Sequence, residues 1–246
     1  MEKVLLHTPE GVRDVYGKEC AVKLTIENSI NKVFNIYGYH NIQTPTFEFF
    51  DIFSKERGSV ASKNLYKFFD REGNTLVLRP DVTPSIARLV AKYYMDVKVP
   101  VKLCYNANTY INNSELQGKL KENTQLGCEL INDDSVEADA EILALVVDSL
   151  KAAGLKEFLV EIGHADFYKG LLEECGFDTE NEQELRKRIE NKNYFGVEEI
   201  LDNNNITGQL KEAFLKLPEL FGSIDVIKSA KELTDNKKAL QSIERL

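Results

Sequence analysis

The chain has 246 residues, 43% of them hydrophobic, and a formal net charge of −9. That is enough apolar material for one large domain and a smaller companion, while the acidic balance counts against a nucleic-acid surface, which wants clustered Lys and Arg. No apolar run reaches the length of a membrane span, MEKVLLHTPEG lacks the apolar core of a signal peptide, and Cys20, Cys104, Cys128 and Cys175 form no CxxC pair. Neither a disulfide framework nor a metal or cofactor site is called for, and a reducing cytoplasm is the expected compartment.

In chain order, TPEGVRD is a Pro/Gly turn. Val22, Ile26, Ile30, Val33 and Tyr37 recur at helical spacing, so 17–37 is predicted as a helix that Gly38 stops. Residues 41–48 form an expected strand carrying Pro45, which suits an edge or a special junction. Two short strands, 63–70 and 74–78, flank the turn Arg71-Glu72-Gly73 as a hairpin. Arg79-Pro80-Asp81-Val82-Thr83-Pro84 breaks the chain before a helix over 85–94. Two longer strands, 101–110 and 122–131, are joined by a polar loop. Ser135 caps a helix over 136–153, Gly154 ends it, and 158–163 reads as a buried strand.

Beyond His164 the pattern becomes helices and polar loops, at 165–175, 180–192, 197–203, 208–215, 224–232 and 236–246. The expected domains are therefore a core over 1–165 and a helical region over 166–246. Glu173–Asn204 carries ten acidic residues against four basic ones, an especially poor RNA surface. The helical pattern is still running at Leu246 without a capping residue, which reads as an abrupt end and an incomplete core.

The segment KLCYNANTYINNSELQGKLKENTQLGCELIN, residues 102–132, resembles the second signature motif of class II aminoacyl-tRNA synthetases in its histidyl-tRNA synthetase version. The returning strand of that motif stands as Gln125-Leu126-Gly127-Cys128-Glu129, and its loop as Gly118-Lys119-Leu120-Lys121. At the turn the aromatic is Tyr110, but Ile111 stands where the family has an Arg that grips the α-phosphate, and Asn113 where it has Glu. Isoleucine neither donates a hydrogen bond nor carries charge. Lys119 and Lys121 replace loop arginines and lack the bidentate fork.

Residues 34–53, FNIYGYHNIQTPTFEFFDIF, resemble the first class II motif, which builds a dimer interface, and Leu78–Thr83 resembles a Leu-Arg-Pro-Glu-Gly-Thr loop with Asp81 and Val82 substituted. Leu-Arg-Pro-Asp-x-Thr-Pro-x-Ile-Ala-Arg over 78–88, and Ile162-Gly163-His164 ahead of a Phe-containing helix, are closer to the synthetase-like regulatory subunits of short-form ATP phosphoribosyltransferase. The resemblance covers about residues 8–165 and implies an α+β fold: a mixed, mostly antiparallel sheet flanked by helices, with a helical appendage.

What it implies functionally is a non-catalytic, histidine-sensing subunit. Such a subunit works as a homodimer within a hetero-oligomer with the ATP phosphoribosyltransferase catalytic subunit, in the first step of histidine biosynthesis. No catalytic residue is assigned. Glu129 would recognise the imidazole, Gln125 would help hold the amino-acid backbone, and Asp81 and Thr83 would hold the α-ammonium; a carboxylate suits an imidazole N–H because it only accepts. Gln125, Gly127 and Glu129 share one strand face, and Gly127 leaves an expected hollow for a ligand. Other readings stand beside these. Asp81 and Thr83 can simply punctuate a strand–helix turn, His7, His40 and His164 read as structural, and the whole chain could be a histidyl-tRNA synthetase or a dimerisation scaffold.

Overall fold

The computed structural model describes residues 6–54, 60–113 and 118–246. Its contacts divide the chain into units 1–158 and 159–246, and each is described by itself.

The first unit is built on the hairpin of β5 (Val101–Tyr110) and β6 (Glu122–Ile131), whose antiparallel register sets Val101 opposite Ile131 and Tyr110 opposite Glu122. Both strands have the predicted bounds. The middle of the connecting loop, 114–117, lies outside the described residues. A two-residue strand, β1 (His40–Asn41), adds in parallel to the far edge of β5, so the sheet is mixed.

Alternation gives the sheet two different faces. On one, Val101, Leu103 and Tyr105 pack with Val82 and Ile86 of the segment containing α3 (Thr83–Tyr93). On the other, Cys104 packs with Phe34, Tyr39 and Leu145, from α1 (Gly17–Ile36), the turn after it and α4 (Val136–Ala152). The Ser135 hydroxyl accepts from the Ala138 N–H, the predicted cap of α4.

A second sheet sets β4 (Thr75–Leu78) between β2 (Phe47–Phe49) and β3 (Lys67–Phe69), all antiparallel. The strand predicted over 41–48 is in fact two, β1 and β2, in different sheets. The reason is Arg79: its guanidinium reaches the carbonyls of Thr44 (2.8 Å) and Pro45 (3.2 Å), groups that a ladder would otherwise use, and Pro45 has no N–H to offer. The first strand of the predicted hairpin is likewise shorter, because Ser62–Asn64 winds into a 3-10 turn. β2 is tied to α3 by buried Glu48, whose Oε1 accepts from Arg88 Nε (3.0 Å) and Nη2 (2.7 Å). A short helix, α2 (Asp51–Ser54), follows β2.

The strand predicted over 158–163 does not form. Leu159 and Ile162 are 78% and 57% exposed, and the segment pairs with none of the described strands. Apolar alternation proposes a strand, but only a partner makes one.

The second unit is helical: α5 (Ala165–Cys175), α6 (Thr179–Glu190), α7 (Tyr194–Asn203), α8 (Gly208–Lys216), α9 (Val226–Glu232) and α10 (Lys237–Arg245). Leu171, Leu185, Val197, Leu201 and Phe214 are its fully buried core. Gly170 lets α5 approach α10, since a Cβ there would stand 2.9 Å from the Ala239 backbone nitrogen. His164 does structural work, its Nδ1 accepting from the Asp166 N–H at 3.2 Å at the head of α5.

Candidate functional site

The candidate site lies on the face of the β5–β6 sheet that α3 covers. Thr83 opens α3, and its hydroxyl donates to Glu129 Oε1 at 2.7 Å across from β6. Asp81, two residues earlier, turns its Oδ1 to the backbone N–H groups of Val82 (2.7 Å) and Thr83 (3.4 Å). The structure therefore brings together Asp81, Thr83 and Glu129, and Asp81 also performs the turn-capping role the sequence leaves open. Gln125 lies on the same strand face as Glu129, opposite Ala107, and its side chain has no hydrogen-bond partner among the described residues.

In the sequence Tyr105 is one more aromatic on a strand, yet the site is built around it. It sits directly opposite Gly127 in the register, and a Cβ on Gly127 would come within 2.4 Å of its phenol. The hollow expected over Gly127 is thus filled from within by the Tyr105 ring; the glycine is there to admit a protein side chain. The signal lies in the pairing, which a single strand does not reveal.

Electrostatically the cluster is acidic and partly dry. Burial pushes the Glu129 carboxyl above its ordinary value, the hydrogen bond from Thr83 opposes that rise, and nearby Asp81 adds to it. Burial, then Glu129 and Asp81, pushes the Tyr105 phenol up to about 12. A group of this sort accepts a cation or an N–H donor well, because a positive ligand relieves both the burial and the carboxylate–carboxylate repulsion.

The turn end of the hairpin has a different chemistry. Ile111 donates its backbone N–H to the Lys121 carbonyl at 2.9 Å, and Lys121 donates its own to Gly11 at 2.7 Å, so the N-terminal turn is stitched to the loop. No guanidinium reaches from the Ile111 position. The nearby Arg79 is 6% exposed and committed to main chain, its Nε to the Asn108 carbonyl at 2.8 Å. It joins the 42–46 segment, the β4–α3 turn and β5, a structural role that composition does not announce.

Two hollows flank this frame. One of about 370 Å³ lies between residues 42–46 and β5, with Arg79, Tyr105 and Tyr110 in its lining. A larger one of about 680 Å³ lies on the opposite face of the sheet, between the start of α1 and the turn end of the hairpin. There Lys23 Nζ donates to Thr124 Oγ1 at 2.6 Å and Asn106 to Glu27 at 2.9 Å. None of Asp81, Thr83, Gln125 and Glu129 lines either hollow. Among the described residues no cluster of metal-ligating side chains occurs, and no helix is long and apolar enough to cross a membrane.

Comparison with known proteins places these features. A model of the histidyl-tRNA synthetase family matches residues 11–246. The protein named ATP phosphoribosyltransferase regulatory subunit in Ruminiclostridium cellulolyticum is 45% identical over 100% of this chain and 59% of its own length. The one so named in Acetivibrio thermocellus is 41% identical over 98% of this chain and 58% of its own length. A solved structure from Bacillus halodurans, described as an ATP phosphoribosyltransferase regulatory subunit/histidyl-tRNA synthetase, superposes with a TM-score of 0.87 at 35% identity, covering 98% of this chain and 62% of that one. A histidine–tRNA ligase subunit from Alicyclobacillus acidocaldarius, 22% identical with a TM-score of 0.73 over 97% of this chain and 72% of its own, shares the fold. The chain spans about three fifths of the length of the curated relatives it matches.

Proposed function

The chain belongs to the histidyl-tRNA synthetase family, and from that footing we propose that it acts as a non-catalytic regulatory subunit of ATP phosphoribosyltransferase that senses histidine. The observation that carries this reading is the split along one hairpin. Thr83 and Glu129 are joined at 2.7 Å beside Asp81, where a histidine imidazole and ammonium would be received, while Ile111 occupies the position of the phosphate-gripping Arg. Regulatory subunits of that name at 41–45% identity support it. Histidyl-tRNA synthetase activity is the weaker reading, because Ile111 offers neither a donor nor a charge to the α-phosphate and Asn113 lacks the carboxylate of the motif's Glu.

In this reading Glu129 accepts from the imidazole, Asp81 and Thr83 accept from the α-ammonium, and Gln125, on the same face, takes the amino-acid backbone. The Thr83–Glu129 hydrogen bond can persist on binding, since it occupies Oε1 alone and leaves Oε2 for the imidazole N–H, and a hydroxyl that donates to Glu129 still accepts from the ammonium. A difference in histidine affinity between two states of the assembly would carry the regulation, typically about 1–3 kcal/mol.

The partner is the catalytic subunit, which joins ATP to phosphoribosyl pyrophosphate, and the chain itself is a homodimer. Supporting the dimer, Phe47, Phe49 and Phe68 are exposed on the second sheet, Phe47 and Phe68 packing edge-to-face at 5.8 Å, and Val22 and Leu24 are exposed on α1. The deciding test is co-purification with an ATP phosphoribosyltransferase catalytic subunit, followed by calorimetric titration with histidine. Heat of binding that Glu129→Gln diminishes supports the assignment. An intact complex with no histidine response makes the chain a scaffold, and a strict monomer by light scattering removes the dimer.

A further inference from the structure

On the reverse of the candidate-site face, Cys104 and Cys128 stand directly opposite one another in β5 and β6. The hydrogen-bond pattern fixes which kind of pair this is. The Cys104 carbonyl accepts from the Ile42 N–H at 2.9 Å, on the β1 side, so its main-chain groups point away from β6. At the other phase, Ile111 N–H bonds across to the Lys121 carbonyl. Cys104 and Cys128 therefore form a non-hydrogen-bonded pair, for which facing Cα atoms are about 4.5 Å apart, inside the roughly 4.4–6.8 Å that a disulfide spans.

We propose that Cys104 and Cys128 are a closable dithiol, a redox modification site at the centre of the sheet. Both thiols are free, they belong to one packed cluster, and Cys128 is the more accessible, Cys104 being fully buried. Cys104 Sγ now donates to Asn41 Oδ1 at 3.5 Å, towards β1, so closure requires its side chain to rotate and give up that weak bond. The cross-link would draw the strands together where Tyr105 lies over Gly127 and immediately before Glu129.

The co-reactant is a peroxide, small enough to reach a half-buried sulfur. The Cys128 thiolate attacks one peroxide oxygen, breaking the O–O bond, and yields a sulfenic acid and hydroxide, which takes the proton the Cys128 thiol released and becomes water. The Cys104 thiolate then attacks the Cys128 sulfur, the S–S bond forms, and the sulfenic oxygen leaves as hydroxide, which takes the Cys104 proton and becomes a second water. The two thiols have lost two electrons and two protons, all accepted by the peroxide. Burial raises both thiols, Cys128 to about 11, which makes the closing rate slow and keeps the pair reduced against weak oxidants.

The test treats the native chain with hydrogen peroxide, alkylates the remaining thiols after denaturation, and maps the peptides by mass spectrometry. The expected product has lost about 2 Da and carries a Cys104–Cys128 cross-link, with Cys20 and Cys175 still open to alkylation. In Cys104→Ser the resolving thiol is gone, so dimedone should trap a sulfenic acid on Cys128. Cys104→Ala serves if the serine variant folds poorly. Sulfinic acid on Cys128, a gain of about 32 Da, without any cross-link in the wild type would overturn the proposal. So would thiols that react only at denaturant concentrations that unfold the chain, or a cross-link that joins other cysteines.

Discussion

The two ends of the β5–β6 hairpin began from one family pattern and have been kept differently. At the base, Glu129 faces Leu103, receives a hydrogen bond from Thr83, and is backed by Tyr105 over Gly127. At the turn, Ile111 and Asn113 hold main-chain bonds and nothing aimed at a phosphate. At about 3.4 Å per strand residue, Ile111 lies roughly 25 Å along the strand from the residue facing Glu129. Groups that far apart contribute nearly independently. On the proposed function, a chain can therefore lose the charge-stabilising end without disturbing the end assigned to histidine, and this separability would let a synthetase fold serve as a sensor.

The largest effect expected from this contrast is on adenylation. Losing one preorganised donor costs about 10²–10³ in rate, and the turn's acidic partner is replaced too, so no histidine-dependent ATP–pyrophosphate exchange is expected above background. Ile111→Arg should leave histidine affinity within about 0.5 kcal/mol of wild type by calorimetry, because the site is remote. An affinity change of tenfold would mean the two ends are coupled, and robust exchange by the unaltered chain would overturn the non-enzyme reading.

Next comes the staple between the ends. Arg79→Met would leave the Asn108, Thr44 and Pro45 carbonyls without their donor in a site that is 6% exposed. Stranding buried acceptors costs about 1–3 kcal/mol each when they stay dry, so a loss of roughly 3–5 kcal/mol in urea unfolding is expected. A loss below about 1 kcal/mol would show that water takes over those acceptors and that Arg79 is no staple.

At the base end, Glu129→Gln keeps the shape and removes the charge. It should weaken histidine binding by about 1.5–3 kcal/mol, or roughly 10- to 150-fold, if the imidazole bond is charge-assisted. Equal affinities would place the imidazole elsewhere. Gly127→Ala should cost about 1–3 kcal/mol of stability, since its Cβ would sit 2.4 Å from the Tyr105 phenol. Tyr105→Ala in the same chain should recover part of the loss; additive losses would mean the two positions do not touch.

These features are unequally legible in the sequence. Sustained alternation marks β5 and β6 to their end residues, and Ser135 and the helical spacings mark α4 and α5, because each signal is local. Register is a property of two strands, and the long loop between them sets none, so Tyr105 against Gly127 cannot be read from either strand. The single strand expected over 41–48 fails for a related reason: its acceptors are claimed by Arg79, more than thirty residues away in sequence and not distinguishable there from a surface arginine. Family resemblance singles out Asp81, Thr83 and Glu129, but their mutual approach needs the fold.

The smallest effect expected separates recognition from stability at Glu129 itself. Burial and Asp81 raise its folded-state pKa, and the bond from Thr83 only partly offsets this. A carboxyl whose pKa is raised on folding contributes stability fully present below its unfolded pKa and lost as pH rises through the folded value. At neutral pH the charged Glu129 therefore works against folding, whereas in Glu129→Gln the neutral amide oxygen still accepts from Thr83. The variant should be at least as stable as wild type at pH 7 in urea, with the difference closing as pH falls to about 4. A binding group that costs stability is what a ligand site predicts, since histidine would supply the missing counter-charge. If the wild type is instead the more stable at pH 7 and loses that margin in acid, Glu129 is a structural acceptor for Thr83, and the base of the hairpin is as devoid of ligand chemistry as the turn.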